Sequence, residues 1–276
     1  MKGIDKAYEL SGLLNKEIKI RPFINVSVGL NGDPMSARQK LMRRKCSQCG
    51  LCQGDGEQDA IDGDFNVVDI HCIGCGKCAE VCQFDSVTFY ARRVDFNKIL
   101  PRCFKAGAEN VELHAIIDDD DSVMYDWLII DDLVQNNFAS MCLDRSQLSD
   151  IHLVNRINAV YKISGERTII QADGAPMNGS SDDFNTTLQA VAIADVISKS
   201  KIPVMVLSFG GTNSKTGELA RMCNVYLNGV SIGTFAKKIV RDLITDVDFE
   251  SNLNLIKKAV NIAVKLVQDN LREIQG

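Results

Sequence analysis

From residue 110 onward, short apolar runs alternate with longer amphipathic stretches. Runs of four to eight apolar residues bounded by turn residues predict strands at 110–117, 138–143, 168–172, 202–208 and 225–229. Between them, apolar residues at helical spacing predict helices over 122–136, 148–163, 185–199, 216–222 and 234–244. Upstream, the pattern gives a helix near 6–14, a buried strand over 21–30 that runs into a Gly-Asp-Pro turn, and a helix near 94–107. Strand alternating with helix means parallel βα units whose helices cover the sheet. The last segment, 251–274, places Leu253, Ile256, Val260, Val264, Val267 and Leu271 on one face and predicts a docked amphipathic helix. The expected fold is therefore α/β, a partial or complete (β/α) barrel-like parallel sheet. Six strands are legible, fewer than the eight of a closed (β/α)8 barrel. Either the barrel is open, a unit escapes detection, or the first strands are absent and are supplied by a partner subunit or a second copy.

Composition narrows the function. In 276 residues, 45% are hydrophobic and 24% charged, and the net charge is −5. That balance argues against a nucleic-acid binder, which needs concentrated Lys and Arg to displace counterions. No secretory leader and no run of eighteen apolar residues is apparent, so the expected setting is cytoplasmic, without a membrane span. In that compartment thiols stay reduced, and ten cysteines point to metal rather than disulfides.

Seven of those cysteines fall between Cys46 and Cys82. In two-cluster bacterial ferredoxins C-x2-C-x2-C-x3-C occurs twice, and the fourth cysteine of each run ligates the other run's cluster. The second run is complete: Cys72, Cys75, Cys78 and Cys82. The first has Cys46, Cys49 and Cys52, then Gly56 where the fourth thiol belongs. Seven thiolates in triplets fit tetrahedral zinc poorly. The pattern predicts a ferredoxin-like module over 46–90 with two [4Fe-4S] clusters, between an N-terminal part, 1–45, and the rest of the α/β domain, 91–276. One cluster takes Cys46, Cys49, Cys52 and Cys82; the other takes Cys72, Cys75 and Cys78 and lacks a fourth thiolate. Three outcomes stay open for that corner: a carboxylate or solvent on the iron, a remote thiol such as Cys103, or a three-iron cluster. His71, beside a cluster cysteine, is read as solvent-facing. Cys103, Cys142 and Cys223, in apolar surroundings, read as small buried thiols.

Two later strands end in glycine with small polar residues: Phe209-Gly210-Gly211-Thr212-Asn213, and Gly229 followed by Gly233-Thr234. In βα barrels the last loops commonly cradle a phosphate at a helix N-terminus, so these residues are candidates for a phosphate-bearing ligand or flavin. Tight turns and helix caps would use the same residue types. Asp173, in a Gln-Ala-Asp-Gly loop, would face the same end of the sheet. The acid run 118–121 is read as a cap for the helix that follows.

The stretches Val-Ser-Val-Gly-Leu-Asn-Gly-Asp-Pro at 26–34, Gln-Ala-Asp-Gly-Ala-Pro-Met-Asn-Gly at 171–179, Phe-Gly-Gly-Thr-Asn at 209–213 and Gly-Val-Ser-Ile-Gly-Thr-Phe-Ala-Lys-Lys at 229–238, with the cysteine module between the first two, resemble the LdpA family. Members of that family are iron–sulfur proteins linked to redox input of the cyanobacterial clock. The resemblance runs from about residue 21 to 243 and implies two clusters inserted into a barrel-like α/β domain. It also implies an N-terminal βαβ portion, whose expected absence here would account for the two strands not read, and a cysteine where Gly56 stands. The reading is an iron–sulfur protein that relays electrons or senses redox state with a redox partner protein. The alternative is an iron–sulfur enzyme acting on a ligand at the barrel end, and the sequence does not decide whether the protein is an enzyme.

Gly56 has no side chain, and Asp55, Glu57 and Asp59 are hard donors for a soft cluster iron. Gly56→Cys is expected to make the second cluster slower to lose iron to a chelator. Iron release followed by absorbance checks this, and an unchanged rate would mean that no cluster is assembled on this loop.

Overall fold

Sequential parallel pairing organises the chain. The structure, a computed structural model, describes residues 2–15, 17–30, 37–41, 44–54, 60–68, 71–72, 77–91, 94–174 and 181–274. Helix α1 (Lys2–Leu13) precedes strand β1 (Asn25–Gly29). The cysteine region follows, with β2 (Ala37–Leu41), the one-turn helices α2 (Leu51–Gly54) and α3 (Lys77–Glu80), and β3 (Val87–Ala91). Then come α4 (Phe96–Lys105), β4 (Asn110–His114), α5 (Asp120–Val134), β5 (Ala139–Leu143), α6 (Asp150–Ser164), β6 (Thr168–Asp173) and α7 (Phe184–Lys199). The chain continues through β7 (Met205–Phe209), α8 (Thr216–Met222), β8 (Gly229–Val230), α9 (Thr234–Lys238), α10 (Arg241–Ile244) and α11 (Leu253–Ile274).

Six strands form one sheet in the order β1-β4-β5-β6-β7-β8, every neighbouring pair parallel. These are the six strands that the apolar pattern predicts. The last is shorter and lies later than expected: β8 is Gly229–Val230, sharing only Gly229 with the predicted 225–229, although Asn228 N–H to Val206 O and Ser231 N–H to Ser208 O extend its ladder. A second sheet pairs β2 with β3 antiparallel, Ala37 opposite Ala91 and Leu41 opposite Val87, and brackets the cysteine region. The sequence pattern does not reveal this pair, because Ala-Arg-Gln-Lys-Leu has no apolar alternation.

Successive helices α4 to α8 touch one another in order, which puts them on one face of the sheet. The strands supply that face with Val111, Leu113, Ala139, Met141, Leu143, Ile170 and Ala172, packed with Trp127, Ile130, Leu153, Ile157, Val191 and Ile197 of the helices. Burying each such Leu or Ile side chain contributes about 1.5–3 kcal/mol. The one polar group on Trp127 is satisfied, its Nε1 donating to Ser164 Oγ at 2.9 Å.

Helix α11 docks as predicted through Ile256, with Leu253 and Val260 half-buried, but its second half turns away from the predicted face. Ile256, Ala259, Leu266 and Asn270 are buried, whereas Val264, Val267 and Leu271 are exposed. The rotation has a polar cause. Asn270 Oδ1 accepts from Gly217 N–H at 2.9 Å and its Nδ2 donates to Asn213 O at 3.2 Å, which fixes the helix on the start of α8. The predicted helix over 234–244 is broken into α9 and α10 around Ile239 and Val240.

In the acid run, Asp119 caps α5, accepting from Ser122 N–H at 3.1 Å and Ser122 Oγ at 2.6 Å. Asp120 instead meets Arg156, a fully buried guanidinium that also donates to the carbonyls of Ala115 and Ile117, each at 2.8 Å. Arg156→Met would leave both buried carbonyls without a donor, each costing about 1–3 kcal/mol. Asp120 is half-exposed and adds little. The expected destabilisation is about 3 kcal/mol, read as a lowered urea midpoint.

Candidate iron–sulfur centre

The first cysteine run lies in a turn-rich segment before and within α2. Cys46, Cys49 and Cys52 line one hollow, and the fourth cysteine on its wall is Cys82, from the end of the second run. Phe65, Phe84 and Leu51 complete the apolar part of the lining. Two features position Cys82: α3 ends just before it, and Ser86 N–H donates to its Sγ at 3.3 Å. The backbone N–H groups of Ser86 and Phe84 hold the Cys82 thiol below its ordinary range. Burial pushes the Cys52 thiol up, with the neighbouring Cys46, Cys49 and Cys82 adding to the effect. A donor set of four thiols around one hollow, with backbone amides directed at sulfur, has the chemistry that a [4Fe-4S] cluster requires, so the residues present fit the group.

The loop between the runs is pinned by Asp62. Its Oδ1 accepts from the N–H groups of Asp64 at 3.0 Å and Asn66 at 2.7 Å, and its carbonyl accepts from Gln53 Nε2 at 2.6 Å. Of the second run, Cys72 is buried and Cys78 half-buried. Cys75, Gly56 and the acidic residues beside Gly56 lie outside the described residues. His71 is exposed, and Cys103 is a half-buried residue of α4.

The Gly-rich candidates lie at the C-terminal end of the parallel sheet. Gly210 and Gly211 both have positive φ, 63° and 67°. Thr212 is buried and its Oγ1 donates to Ser231 O at 2.5 Å, tying the loop after β7 to the loop after β8. Asn213 is fully buried, and its Nδ2 donates to Ser181 O at 2.6 Å and Asp183 O at 2.8 Å. Both side chains are thus engaged inside the protein. Gly229 sits in β8, where a Cβ would come 2.9 Å from Leu207 Cδ2. Gly233 and Thr234 are exposed at the start of α9.

Asp173 ends β6, its side chain 13% exposed, and it has company that sequence reasoning missed. His114 Nε2 lies 3.6 Å from its Oδ2, and Cys142 Sγ donates to the same oxygen at 3.4 Å. His114 ends β4, and Cys142, in β5, is its register partner. No local spacing links these three residues. Their common position at the ends of successive apolar runs was the available signal.

The 4Fe-4S binding domain family matches residues 68–88, which hold the second cysteine run. The family described as the Light dependent period A C-terminal domain matches residues 104–269, from the end of α4 into α11. Light dependent period A of Synechococcus elongatus is 24% identical over 208 residues, which are 71% of this chain and 59% of that protein. The chain carries a 4Fe-4S binding motif, and no helix among the described residues is long and apolar enough to cross a membrane. It belongs to the family of the Light dependent period A C-terminal domain.

Proposed function

We propose that the protein relays electrons or senses redox state through two [4Fe-4S] clusters, the second lacking a fourth thiolate at Gly56. The observation that carries this reading is the meeting of Cys82 with Cys46, Cys49 and Cys52 around one hollow, since crossed ligation is the mark of the two-cluster arrangement. Cys46, Cys49, Cys52 and Cys82 would hold one group, and Cys72, Cys75 and Cys78 three corners of the other. A [4Fe-4S] cluster bound there supplies one-electron transfer at a potential set by its protein surroundings.

The chain's own groups tune that potential. The Ser86 N–H directed at Cys82 Sγ stabilises negative charge on sulfur, and Phe65 keeps water from one wall of the hollow. Cys49 is exposed, and Leu51 and Phe84 are each 47% exposed at the rim. That apolar rim suits a redox partner protein, which must approach the donor closely without a charged barrier. The six sequential parallel strands are in keeping with six βα units of a (β/α) barrel, which another chain or a second copy would complete.

The Thr212 bond to Ser231 favours a second reading, because it holds the two Gly-rich loops together at the sheet end where a phosphate-bearing ligand or flavin would bind. With the Thr212 and Asn213 side chains engaged elsewhere, that ligand would be held by backbone amides.

Cysteine substitutions test the leading reading on anaerobically purified protein. Cys82→Ala and Cys46→Ala are expected to remove the same reduced-state magnetic resonance signal and to lower iron from about eight to about four per chain. Cys75→Ala should remove a different signal. If Cys82→Ala instead matches Cys75→Ala, ligation is not crossed.

A further inference from the structure

The sheet has two unlike faces. One is the apolar face under the helices. On the other, alternation along β4, β5 and β6 places Glu112 and His114, Ser140 and Cys142, and Gln171 and Asp173. Parallel register aligns these residues across the strands, with Glu112 opposite Ser140 and His114 opposite Cys142. Across the next pair Gln171 is opposite Cys142, and Asp173 stands two residues beyond it. The side chains nevertheless group as two sets, Asp173 meeting His114 and Cys142, and Gln171 Nε2 donating to Glu112 and Ser140.

We infer that His114, Cys142 and Asp173 form a binding site for one zinc-type divalent cation, distinct from the cysteine module. The donor set is imidazole nitrogen, thiol sulfur and carboxylate oxygen, the three ligand types that zinc accepts. Spacing agrees as well. With metal–nitrogen and metal–oxygen bonds of about 2.0–2.2 Å and metal–sulfur of about 2.3 Å, ligand atoms on a tetrahedron lie about 3.3–3.6 Å apart. Here nitrogen and oxygen are 3.6 Å apart and sulfur and oxygen 3.4 Å, and all three ligand atoms lie within 4.8 Å of one another. The sheet holds these donors at coordination distance without help from a metal.

Charge supplies a second and independent argument. Asp173 Oδ1, Glu112 Oε1 and Gln171 Oε1 are buried acceptors without a hydrogen-bond partner among the described residues. The other carboxylate oxygen of Glu112 accepts from the neutral amides of Gln171 at 2.8 Å and Asn25 at 3.3 Å. Two carboxylates thus stand on one face, met by amides, a thiol and an imidazole. Burying negative charge without a counter-charge is costly, and a divalent cation removes that cost. On binding, the proton now shared between Cys142 Sγ and Asp173 Oδ2 leaves for solvent as the thiolate takes the metal. No electron moves. Three protein ligands leave a fourth position for water or a substrate oxygen, the arrangement of reactive rather than purely structural zinc sites.

Gly210 is part of the same construction. A Cβ there would fall 1.7 Å from Asp173 Oδ1, and its φ is 63°. The glycine at the end of β7 is what lets the carboxylate occupy its place.

The test uses anaerobically purified holoprotein, loaded with Zn2+ alone and desalted. Iron and zinc per chain are counted, and the zinc environment is read by X-ray absorption at the zinc edge. The expected result is about one zinc per chain with one sulfur neighbour among nitrogen and oxygen neighbours. Asp173→Asn and His114→Gln should each weaken zinc retention against a chelator by about tenfold or more, with iron unchanged. Gly210→Ala should do the same although all three donors remain. Absence of zinc from the wild type overturns the proposal, as does zinc surrounded by three or four sulfurs, which would place it in the cysteine module. Equal retention by a folded Asp173→Asn variant also overturns it. Should the variants fail to fold, the wild-type sulfur count decides alone.

Discussion

Parallel pairing in chain order is the constraint on which the rest of the molecule depends. Each crossover helix carries the chain back to the start of the sheet, so every strand points the same way and every strand end arrives at the same edge. The helices then occupy one face, and the apolar half of each strand is buried against them. The other half is released from packing against helices, and it carries Glu112, Ser140, Gln171, His114, Cys142 and Asp173. Residues far apart in sequence become neighbours there because alternation sends them to one face of adjacent strands, Asp173 meeting His114 and Cys142 from two residues beyond the register partner of Cys142. The cysteine region joins this scheme at a defined point. It follows β1, whose last residue, Gly29, is the register partner of His114, so the chain departs for the module from beside that imidazole.

The edge where the strands end is held by polar ties more than by apolar packing. Arg156 fixes the segment after β4 through two carbonyls, Thr212 joins the loops after β7 and β8, and Asn270 anchors α11 on the turn before α8. Each of these groups is buried and each bonds backbone, Arg156 meeting Asp120 as well, so these segments cannot move without stranding a buried donor or acceptor. The segments after β4, β7 and β8, which would otherwise be mobile parts of a βα fold, become a fixed frame. The Gly210 contact with Asp173 shows how closely that frame is fitted.

How much of this was legible follows from how local each signal is. The strands of the main sheet could be read because apolar runs of fixed length are local, and the seven clustered cysteines because ligand spacing within a run is local. The β2–β3 pair was hidden by its polar sequence, and the buried face of the second half of α11 was misjudged because a polar residue, Asn270, outweighs Val264, Val267 and Leu271 in setting the rotation. Of the thiols read as small and buried, Cys142 is fully buried, Cys103 is half-buried and Cys223 is exposed. The meeting of Cys142 with His114 and Asp173 depends on the register of three strands, and no window of sequence contains that information. Thr212 and Asn213 had the right composition for a phosphate loop, yet their side chains serve the frame. Composition alone could not separate those two uses.

The two sets of cysteine chemistry also differ in what holds them. Among the described residues the module has two single-turn helices, one short antiparallel pair and an isolated antiparallel bridge between Ile61 and Val67. A segment with so little secondary structure would gain order from the group it gathers, since metal binding and folding are coupled in small metal domains. His114, Cys142 and Asp173 stand on the opposite footing. Their backbone is already fixed by ladder bonds on both sides and by an apolar face that needs no metal. Soft thiolates crowded in sequence suit a group that must organise its own surroundings, and mixed donors on a rigid sheet suit a cation whose free coordination position has to be kept in a set direction. A single chain that contains both arrangements has two kinds of metal chemistry available at separate sites, one built by its cofactor and one built by its fold.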